Sequence, residues 1–267
     1  MPVVRVSDTD VHYSVSGAGP GLVLVHGTSM SAESNFGHLT SEFTDRHTVV
    51  APNYAGSGET TTPDGRLTLD LLVAQIIAAI EDASTGPVDL MGFSLGAVVA
   101  AAVAGRRPDL VRRLVLVAGW SVTEDPRQLL TLHGWAASLE AGPEMASAFG
   151  PLLAFSPAFL SGLGHAGLAQ LRATKPEPGT LRQIEVNLEV DIRDALSRIV
   201  APTLVIGCTQ DQLVPVTHAR DLHAAIPNSR YAEIDSGHVV FFEKPAELVS
   251  LVQDFLYTAE IPSGQPA

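Results

Sequence analysis

Residues 90–98 read LMGFSLGAV and place Ser94 at the centre of Gly92-Phe93-Ser94-Leu95-Gly96. The apolar run before the serine predicts a buried strand, and the alanine- and valine-rich run Leu95–Arg106 predicts a helix that Pro108 ends. A serine at such a junction needs a very tight turn, in which Cβ atoms two residues to either side would clash. Because glycines occupy both positions, the stretch predicts a nucleophile elbow. The alternative interpretation is a glycine-rich turn with an incidental serine.

Strand and helix patterns alternate along the rest of the chain. The predicted strands are Val3–Ser7, Val11–Ser16, Leu22–His26, Thr48–Ala51, Val88–Met91, Val111–Ala118, Thr203–Ile206 and Tyr231–Ile234. The first two alternate between apolar and polar residues, as an antiparallel hairpin does, whereas later ones are continuously apolar, which is typical of strands buried on both faces. Helical periods occur at Leu67–Asp82 and after Pro245. This order predicts a mainly parallel sheet with helices on both faces.

The segment 121–195 interrupts this alternation. It contains no convincing strand and indicates several short helices separated by glycine and proline, as at Gly142-Pro143 and Gly150-Pro151. It is too long and too apolar for a disordered loop. We therefore expect residues 1–120 and 196–260 to form an α/β core and residues 121–195 to form a helical insert over one end of the sheet. Residues 261–267 are expected to form a disordered tail.

Composition restricts the possible partners and cofactors. The chain of 267 residues carries a formal net charge of −13, and an acidic surface repels the phosphates of nucleic acids. The sequence shows neither a signal-peptide pattern nor an apolar run of about 18 residues that would span a membrane. Cys208 is the sole cysteine, so no disulfide or thiolate-rich metal site is expected. We expect a cytoplasmic monomer or small homo-oligomer that acts on a small molecule, without metal, other cofactor, nucleic acid or membrane.

A catalytic serine needs further residues, because its hydroxyl is a poor nucleophile at neutral pH. It requires a general base, and the base requires an acid that orients it. Asp211 follows the predicted strand Thr203–Ile206, and His238 follows the last predicted strand. The chain order Ser94, Asp211, His238 is the order expected for a triad built on a nucleophile elbow.

Four motifs together resemble those of α/β-hydrolase-fold proteins with a helical cap. They are Val25-His26-Gly27-Thr28, Gly92–Gly96, Asp211 followed by Val214-Pro215, and Gly237-His238, in the family's order over nearly the whole chain. The resemblance implies an eight-stranded, mostly parallel sheet with helices on both faces and a helical cap insert. It implies catalytic roles for Ser94, Asp211 and His238. It also implies an oxyanion hole made by the backbone N–H groups of Thr28 and Leu95, with His26 in a structural role.

Other carboxylates are alternatives for the acid. Asp235 lies only three residues before His238 on the same loop, which makes orienting the imidazole ring difficult. Glu124 and Asp125 follow the predicted strand Val111–Ala118, where some members of the resembled family place their acid. Asp211 is the favoured candidate.

The substrate pocket is expected between the carboxyl edge of the sheet and the helical insert. The candidate wall residues are Met30, Phe93, Trp120, Trp135, Phe155 and Phe159. The alternative for each of them is an ordinary place in the apolar interior. Few charged residues surround these positions, which indicates a mainly apolar substrate of modest size.

Together these features predict a serine hydrolase that cleaves a carboxylic ester, lactone or thioester through an acyl-enzyme. Two alternative functions would keep the same residues. One is a non-hydrolytic biosynthetic catalyst, such as a cyclase or an eliminating enzyme. The other is a sensor that binds a small ligand and hydrolyses it slowly.

Overall fold

A computed structural model describes residues 1–84 and 86–257 of the chain. The predicted tail 261–267 and the last part of the predicted core, 258–260, lie outside the described residues. The described chain forms an eight-stranded sheet. Its strands are β1 (Val3–Val6), β2 (Thr9–Gly17), β3 (Gly21–Val25), β4 (Thr48–Pro52), β5 (Val88–Phe93), β6 (Val111–Val117), β7 (Thr203–Cys208) and β8 (Ser229–Ile234).

The strands lie side by side in the order β1-β2-β4-β3-β5-β6-β7-β8. β2 pairs antiparallel with both β1 and β4, whereas every other neighbouring pair is parallel. This arrangement confirms the predicted eight-stranded, mostly parallel sheet. β5 lies inside the sheet, and all of its residues are buried. It runs to Phe93, so Ser94 is the first residue beyond the strand.

Helices connect the strands and cover both faces of the sheet. They are α1 (Ala32–Phe36), α2 (Leu69–Ala83), α3 (Leu95–Arg106), α4 (Pro126–Glu140), α5 (Pro143–Ala154), α6 (Pro157–Gly162), α7 (Gly164–Ala173), α8 (Thr180–Leu188), α9 (Arg193–Leu196), α10 (Val216–Ala225), α11 (Val240–Glu243) and α12 (Pro245–Tyr257). Within the described residues, no helix is both long enough and apolar enough to cross a membrane.

Two apolar cores lie on opposite faces of the sheet. Along β3, Val23 and Val25 join the core that contains α2, α3 and α10, whereas Leu22 and Leu24 join the core that contains α1 and α12. The alternation follows from the strand itself, because successive side chains point to opposite faces. The predicted coverage of both faces by helices is confirmed.

Helix α3 lies in the middle of the first core. It contacts β5, β6, α2 and α9, and every residue from Leu95 to Gly105 is buried. A helix surrounded by protein needs no polar face, and its alanines and glycines allow neighbours to approach closely. A Cβ atom at Gly105 would lie 2.9 Å from the Cβ of Ala195 in α9.

The helices α4 to α8 follow one another between β6 and α9. The two ends of this segment are held together by an antiparallel bridge between Val122 and Asp191. The N–H of Thr123 donates to the carbonyl of Val190 at 2.9 Å, close to this bridge. The division into a core and a separate cap domain over residues 121–195 stays a prediction.

At two positions in the turn between β5 and α3, the surrounding backbone leaves no space for a Cβ atom. Ser94 has φ 56° and ψ −123°, a conformation that is strained for a residue with a side chain. A Cβ atom at Gly92 would meet the backbone of Gly96, and one at Gly96 would meet the carbonyl oxygens of Val25 and His26. The turn therefore requires both glycines.

Substitution of Gly96 tests this requirement. We expect Gly96→Ala to lower the free energy of unfolding by about 2–3 kcal/mol, because backbone carbonyl groups must move to admit the methyl group. Gly162→Ala in α6 is the matched control, since nothing lies within 4 Å of a Cβ placed there, and alanine is favoured over glycine inside a helix. Urea denaturation followed by circular dichroism measures both. Equal stability of the two variants would contradict the steric account.

Candidate active site

Ser94 is fixed by the backbone of its turn. Its N–H donates to the carbonyl of Val117 at 2.9 Å, which ties the turn to β6. Its carbonyl accepts hydrogen bonds from the N–H groups of Ala97 and Val98 at 2.9 and 3.2 Å, which begin helix α3. The serine residue is 3% exposed. Hydrogen bonds to β6 and to the start of α3 thus fix the backbone that carries the Ser94 hydroxyl.

Ser94, His238 and Asp211 form a continuous hydrogen-bonded series. Nε2 of His238 lies 2.9 Å from Oγ of Ser94, and Nδ1 of His238 lies 2.6 Å from Oδ2 of Asp211. The carboxylate can only accept, so Nδ1 donates to it, and Nε2 is left to accept from the serine hydroxyl. The structure therefore brings together the three residues that the sequence predicts.

The second carboxylate oxygen of Asp211 is hydrogen-bonded to the backbone of its own loop. Oδ1 accepts hydrogen bonds from the N–H groups of Leu213 and Val214 at 2.8 and 2.7 Å. Asp211 is 4% exposed, so a free carboxylate there would carry a desolvation cost. Hydrogen bonds from the two N–H groups and from His238 compensate for this cost. They also fix the direction in which the carboxylate faces the imidazole ring.

The alternative acids have other partners. The carboxylate of Asp235 accepts hydrogen bonds from Thr209 and Gln210 at 2.8 and 2.7 Å. Glu124 pairs with Arg193 at 3.1 Å in an exposed ion pair, and Asp125 caps the N-terminus of α4. Among the described residues, His238 has its carboxylate contact with Asp211 alone.

The loop after β3 lies against Ser94. The carbonyl of His26 accepts from the Tyr54 hydroxyl at 2.9 Å, and the N–H of Gly27 donates to the side chain of Asn35 at 2.9 Å. Burial lowers the pKa of His26 to about 4, so its ring is neutral at pH 7, and Nδ1 donates to the carbonyl of Gly27 at 2.8 Å. These contacts agree with a structural role for His26.

The two predicted oxyanion donors are the backbone N–H groups of Thr28, in the loop after β3, and of Leu95, at the start of α3. The N–H of Leu95 opens α3 directly after Ser94, and helix-opening N–H groups have no acceptor within the helix. Within residues 1–84 and 86–257, neither the Leu95 N–H nor the Thr28 N–H has a hydrogen-bond acceptor. Both are therefore available to a developing negative charge.

Two amide side chains of α8 reach this loop, and neither is among the site residues that the sequence predicts. Gln183 accepts a hydrogen bond from the N–H of Ser29 at 3.0 Å, and the amide nitrogen of Asn187 donates to the hydroxyl of Thr28 at 2.9 Å. Both amides are buried. The available signal was their spacing of four residues, which places them on one face of a helix.

The loop of His238 also contacts the segment between β6 and α9. The N–H of Val239 donates to the carbonyl of Ala154 at 3.1 Å. The carboxylate of Glu243 accepts from the backbone N–H and the hydroxyl of Ser156, each at 2.7 Å. A Cβ atom at Gly237 would lie 2.7 Å from the carbonyl carbon of Phe155, so this contact needs a glycine before the histidine.

A cavity of about 520 Å³ opens beside Ser94 and His238. Its walls come from the loop after β3, from Phe93 and from helices α4, α5 and α7. Apolar side chains predominate among them, as is usual for small-molecule sites. Among the described residues that line it, the charged side chains are Arg172 and Lys175, and no carboxylate joins them.

Four of the predicted wall residues line this cavity: Met30, Phe93, Trp135 and Phe155. Trp120 and Phe159 do not, and their places in the structure correct the expectation. Trp120 is buried in the core, and its indole N–H donates to the hydroxyl of Thr123 at 2.8 Å. Phe159 stacks on Phe155 with ring centroids 5.0 Å apart. Trp120 thus has a hydrogen-bonding partner in the core, and Phe159 has an aromatic partner in Phe155.

Metal-ligating and thiol side chains can also be located among the described residues. These residues contain no group of three or more histidine, cysteine, aspartate or glutamate side chains that could hold a metal ion. Cys208 is buried, and this burial raises the pKa of its thiol well above the ordinary value. A thiolate nucleophile at this position is therefore disfavoured.

Comparisons with known proteins identify the family of this chain. A sequence profile of the Alpha/beta hydrolase family matches residues 22–251. A protein of Xenorhabdus hominickii named pyrrolizixenacetamide deacetylase is 39% identical over 266 residues, which cover 98% of this chain and 100% of the relative. A pimeloyl-[acyl-carrier protein] methyl ester esterase of Vibrio parahaemolyticus is 29% identical over 259 residues, which cover 92% of this chain and 98% of that protein.

A solved structure shows the same fold. The enol-lactonase from Burkholderia xenovorans matches with a TM-score of 0.84 and 22% identity, over 96% of this chain and 99% of that one. The family profile spans most of the chain, and the deacetylase relative is similar over its whole length. The protein described here therefore belongs to the α/β hydrolase family and is a hydrolase.

Proposed function

We propose that the protein is a serine hydrolase that cleaves a carboxylic ester, lactone or thioester of a small, mainly apolar substrate. The observation that carries this proposal is the series of hydrogen bonds from Ser94 through His238 to Asp211, at 2.9 and 2.6 Å, beside an apolar cavity. A base within hydrogen-bond reach of a hydroxyl, itself oriented by an acid, is the arrangement that activates a serine.

The proposed reaction proceeds through an acyl-enzyme. His238 accepts the hydroxyl proton as Oγ of Ser94 attacks the carbonyl carbon, and Asp211 stabilises the resulting imidazolium. The oxyanion accepts hydrogen bonds from the N–H groups of Thr28 and Leu95, each of which has no acceptor among the described residues. His238 then protonates the leaving group. Water, deprotonated by the same histidine, releases the acid and restores the serine.

The cavity restricts the substrate class. A volume of about 520 Å³ with mostly apolar walls suits a small molecule whose acyl or leaving group is hydrocarbon-rich. Since the charged lining residues within the described chain are Arg172 and Lys175, the walls favour neutral or anionic groups over cationic ones.

An acetamide is a second candidate substrate class. It is favoured by the 39% identity to a protein whose name designates an acetamide deacetylase. The same residues would serve, because Ser94 would receive the acetyl group and His238 would protonate the departing amine. Amides differ from esters in needing this protonation more, since an amine anion is a very poor leaving group.

Loss of the nucleophile or the acid tests the proposed reaction. We expect Ser94→Ala and Asp211→Asn each to lower kcat/KM for 4-nitrophenyl butyrate by about 10⁴-fold, as measured by release of 4-nitrophenol. Asp235→Asn is the matched control, because that carboxylate faces Thr209 and Gln210 and should change kcat/KM less than about twofold. Turnover of Ser94→Ala near that of the wild type would refute the mechanism. Equal damage from Asp235→Asn would refute the assignment of the acid.

A matched pair of substrates tests the amide. 4-Nitrophenyl acetate and 4-nitroacetanilide differ in the one atom that leaves with the nitrophenyl group. We expect the wild type to cleave both, the ester faster because its leaving group is better, and Ser94→Ala to cleave neither. Release of 4-nitroaniline and 4-nitrophenol is followed by absorbance. Ester cleavage without any amide cleavage would exclude deacetylation of simple acetamides and retain the esterase assignment.

A further inference from the structure

The loop that carries the Thr28 N–H has an unusual backbone. Ser29, the next residue, has φ 67°, in the left-handed region that disfavours side chains. A conformation of this kind persists when the surroundings fix it. The groups that fix Ser29 also bear on the direction of the Thr28 N–H, because both depend on the same stretch of backbone.

Gln183 holds the peptide that follows Thr28. Its side-chain oxygen accepts from the N–H of Ser29 at 3.0 Å. Its side-chain nitrogen donates to the carbonyl of Ala55 at 3.2 Å and to the hydroxyl of Ser57 at 2.9 Å. Gln183 is 0% exposed, and these contacts use both of its donors and its oxygen. The amide therefore joins the loop to the segment after β4.

Asn187 holds the side chain of Thr28 itself. The Thr28 hydroxyl lies 2.9 Å from Nδ2 and 3.3 Å from Oδ1 of Asn187. The backbone carbonyl of Asn187 accepts from the hydroxyl of Thr123 at 2.6 Å, and that hydroxyl accepts from the indole of Trp120 at 2.8 Å. Trp120 thus lies outside the cavity yet belongs to the contacts that place Asn187.

Helix α8, which carries both amides, is attached to the rest of the chain at its N-terminal end. The N–H of Gly179 donates to the carbonyl of Gly56 at 2.9 Å. A Cβ atom at Gly56 would lie only 2.8 Å from Cα of Gly179, so the two backbones pack without side chains between them. By contrast, α5, α6 and α7 contain no buried residue within their bounds. The amides therefore project from the better-anchored part of this helical segment.

We propose that Gln183 and Asn187 are positioning residues that orient the Thr28 N–H for the oxyanion. This inference rests on the proposed function, in which that N–H stabilises the transition state. One amide fixes the threonine side chain and the other fixes the following peptide, so the donor is aimed before substrate arrives. Such preorganisation is what makes a hydrogen-bond donor effective in catalysis.

Near-isosteric variants test the proposal. Gln183→Met and Asn187→Leu remove the hydrogen bonds and keep most of the volume. We expect each to lower kcat for 4-nitrophenyl butyrate by about 10- to 100-fold and to change KM by less than about threefold, because the donor is misdirected while the cavity walls remain. Gln128→Met in α4 is the matched control. That amide is also buried, has no hydrogen-bond partner among the described residues, and should leave kcat unchanged.

A trifluoromethyl ketone separates positioning from simple destabilisation. It forms an anionic hemiketal with an active serine, so its inhibition constant reports the strength of the oxyanion hole. We expect the inhibition constant to rise in Gln183→Met and Asn187→Leu by the same factor by which kcat/KM falls. Thermal unfolding checks that each variant is folded at the assay temperature.

The outcomes decide between the proposals. An unchanged inhibition constant in both folded variants, or the same loss in Gln128→Met, would overturn the positioning roles and leave serine hydrolysis in place. A wild type without turnover and without inhibition by the ketone would overturn serine hydrolysis, and the positioning roles with it. Parallel losses in kcat/KM and in ketone affinity, confined to Gln183→Met and Asn187→Leu, would support both.

Discussion

The close backbone contact at Gly96 is the constraint on which the site depends. A helix opens directly after Ser94 and lies so near the end of β3 that the carbonyl oxygens of Val25 and His26 leave space for hydrogen alone. This contact brings the loop that contains Thr28 beside Ser94. The strained turn at Ser94 and the left-handed backbone at Ser29 are the conformational cost of that proximity. A larger residue at position 96 would separate the two groups that the proposed reaction needs together.

The rest of the site follows from the parallel sheet. Parallel strands deliver their carboxyl ends to one edge, so the loops after β5, β7 and β8 meet there and bring Ser94, Asp211 and His238 into hydrogen-bond range. The segment between β6 and α9 then encloses this edge. It contacts the loop of His238 through Ala154 and Ser156, and the loop of Thr28 through α8. Both sides of the reacting centre thus touch the same helical segment.

Local patterns predict the fold, and they name the three residues that the structure brings within hydrogen-bond distance. The strand-turn-helix at Ser94 and the strand ends before Asp211 and His238 are short-range features, and their order along the chain determines which residues can meet. Trp120 was placed wrongly, because its position after a strand does not reveal that its indole finds the Thr123 hydroxyl. Gln183 was missed for a related reason. In the sequence, a glutamine on a helix cannot be told from one on a solvent-exposed polar face. Its partner Ser29 is 154 residues away.

The most direct test of the central claim, an activated Ser94, is the intact mass of the protein after incubation with a fluorophosphonate. This reagent phosphonylates serines whose hydroxyl is deprotonated by a neighbouring base. An activated Ser94 predicts one adduct on the wild type and none on Ser94→Ala. It also predicts slower labelling of Asp211→Asn, in which the imidazole is no longer held for proton transfer. A folded wild type that stays unlabelled, or a Ser94→Ala variant that labels equally, would contradict it.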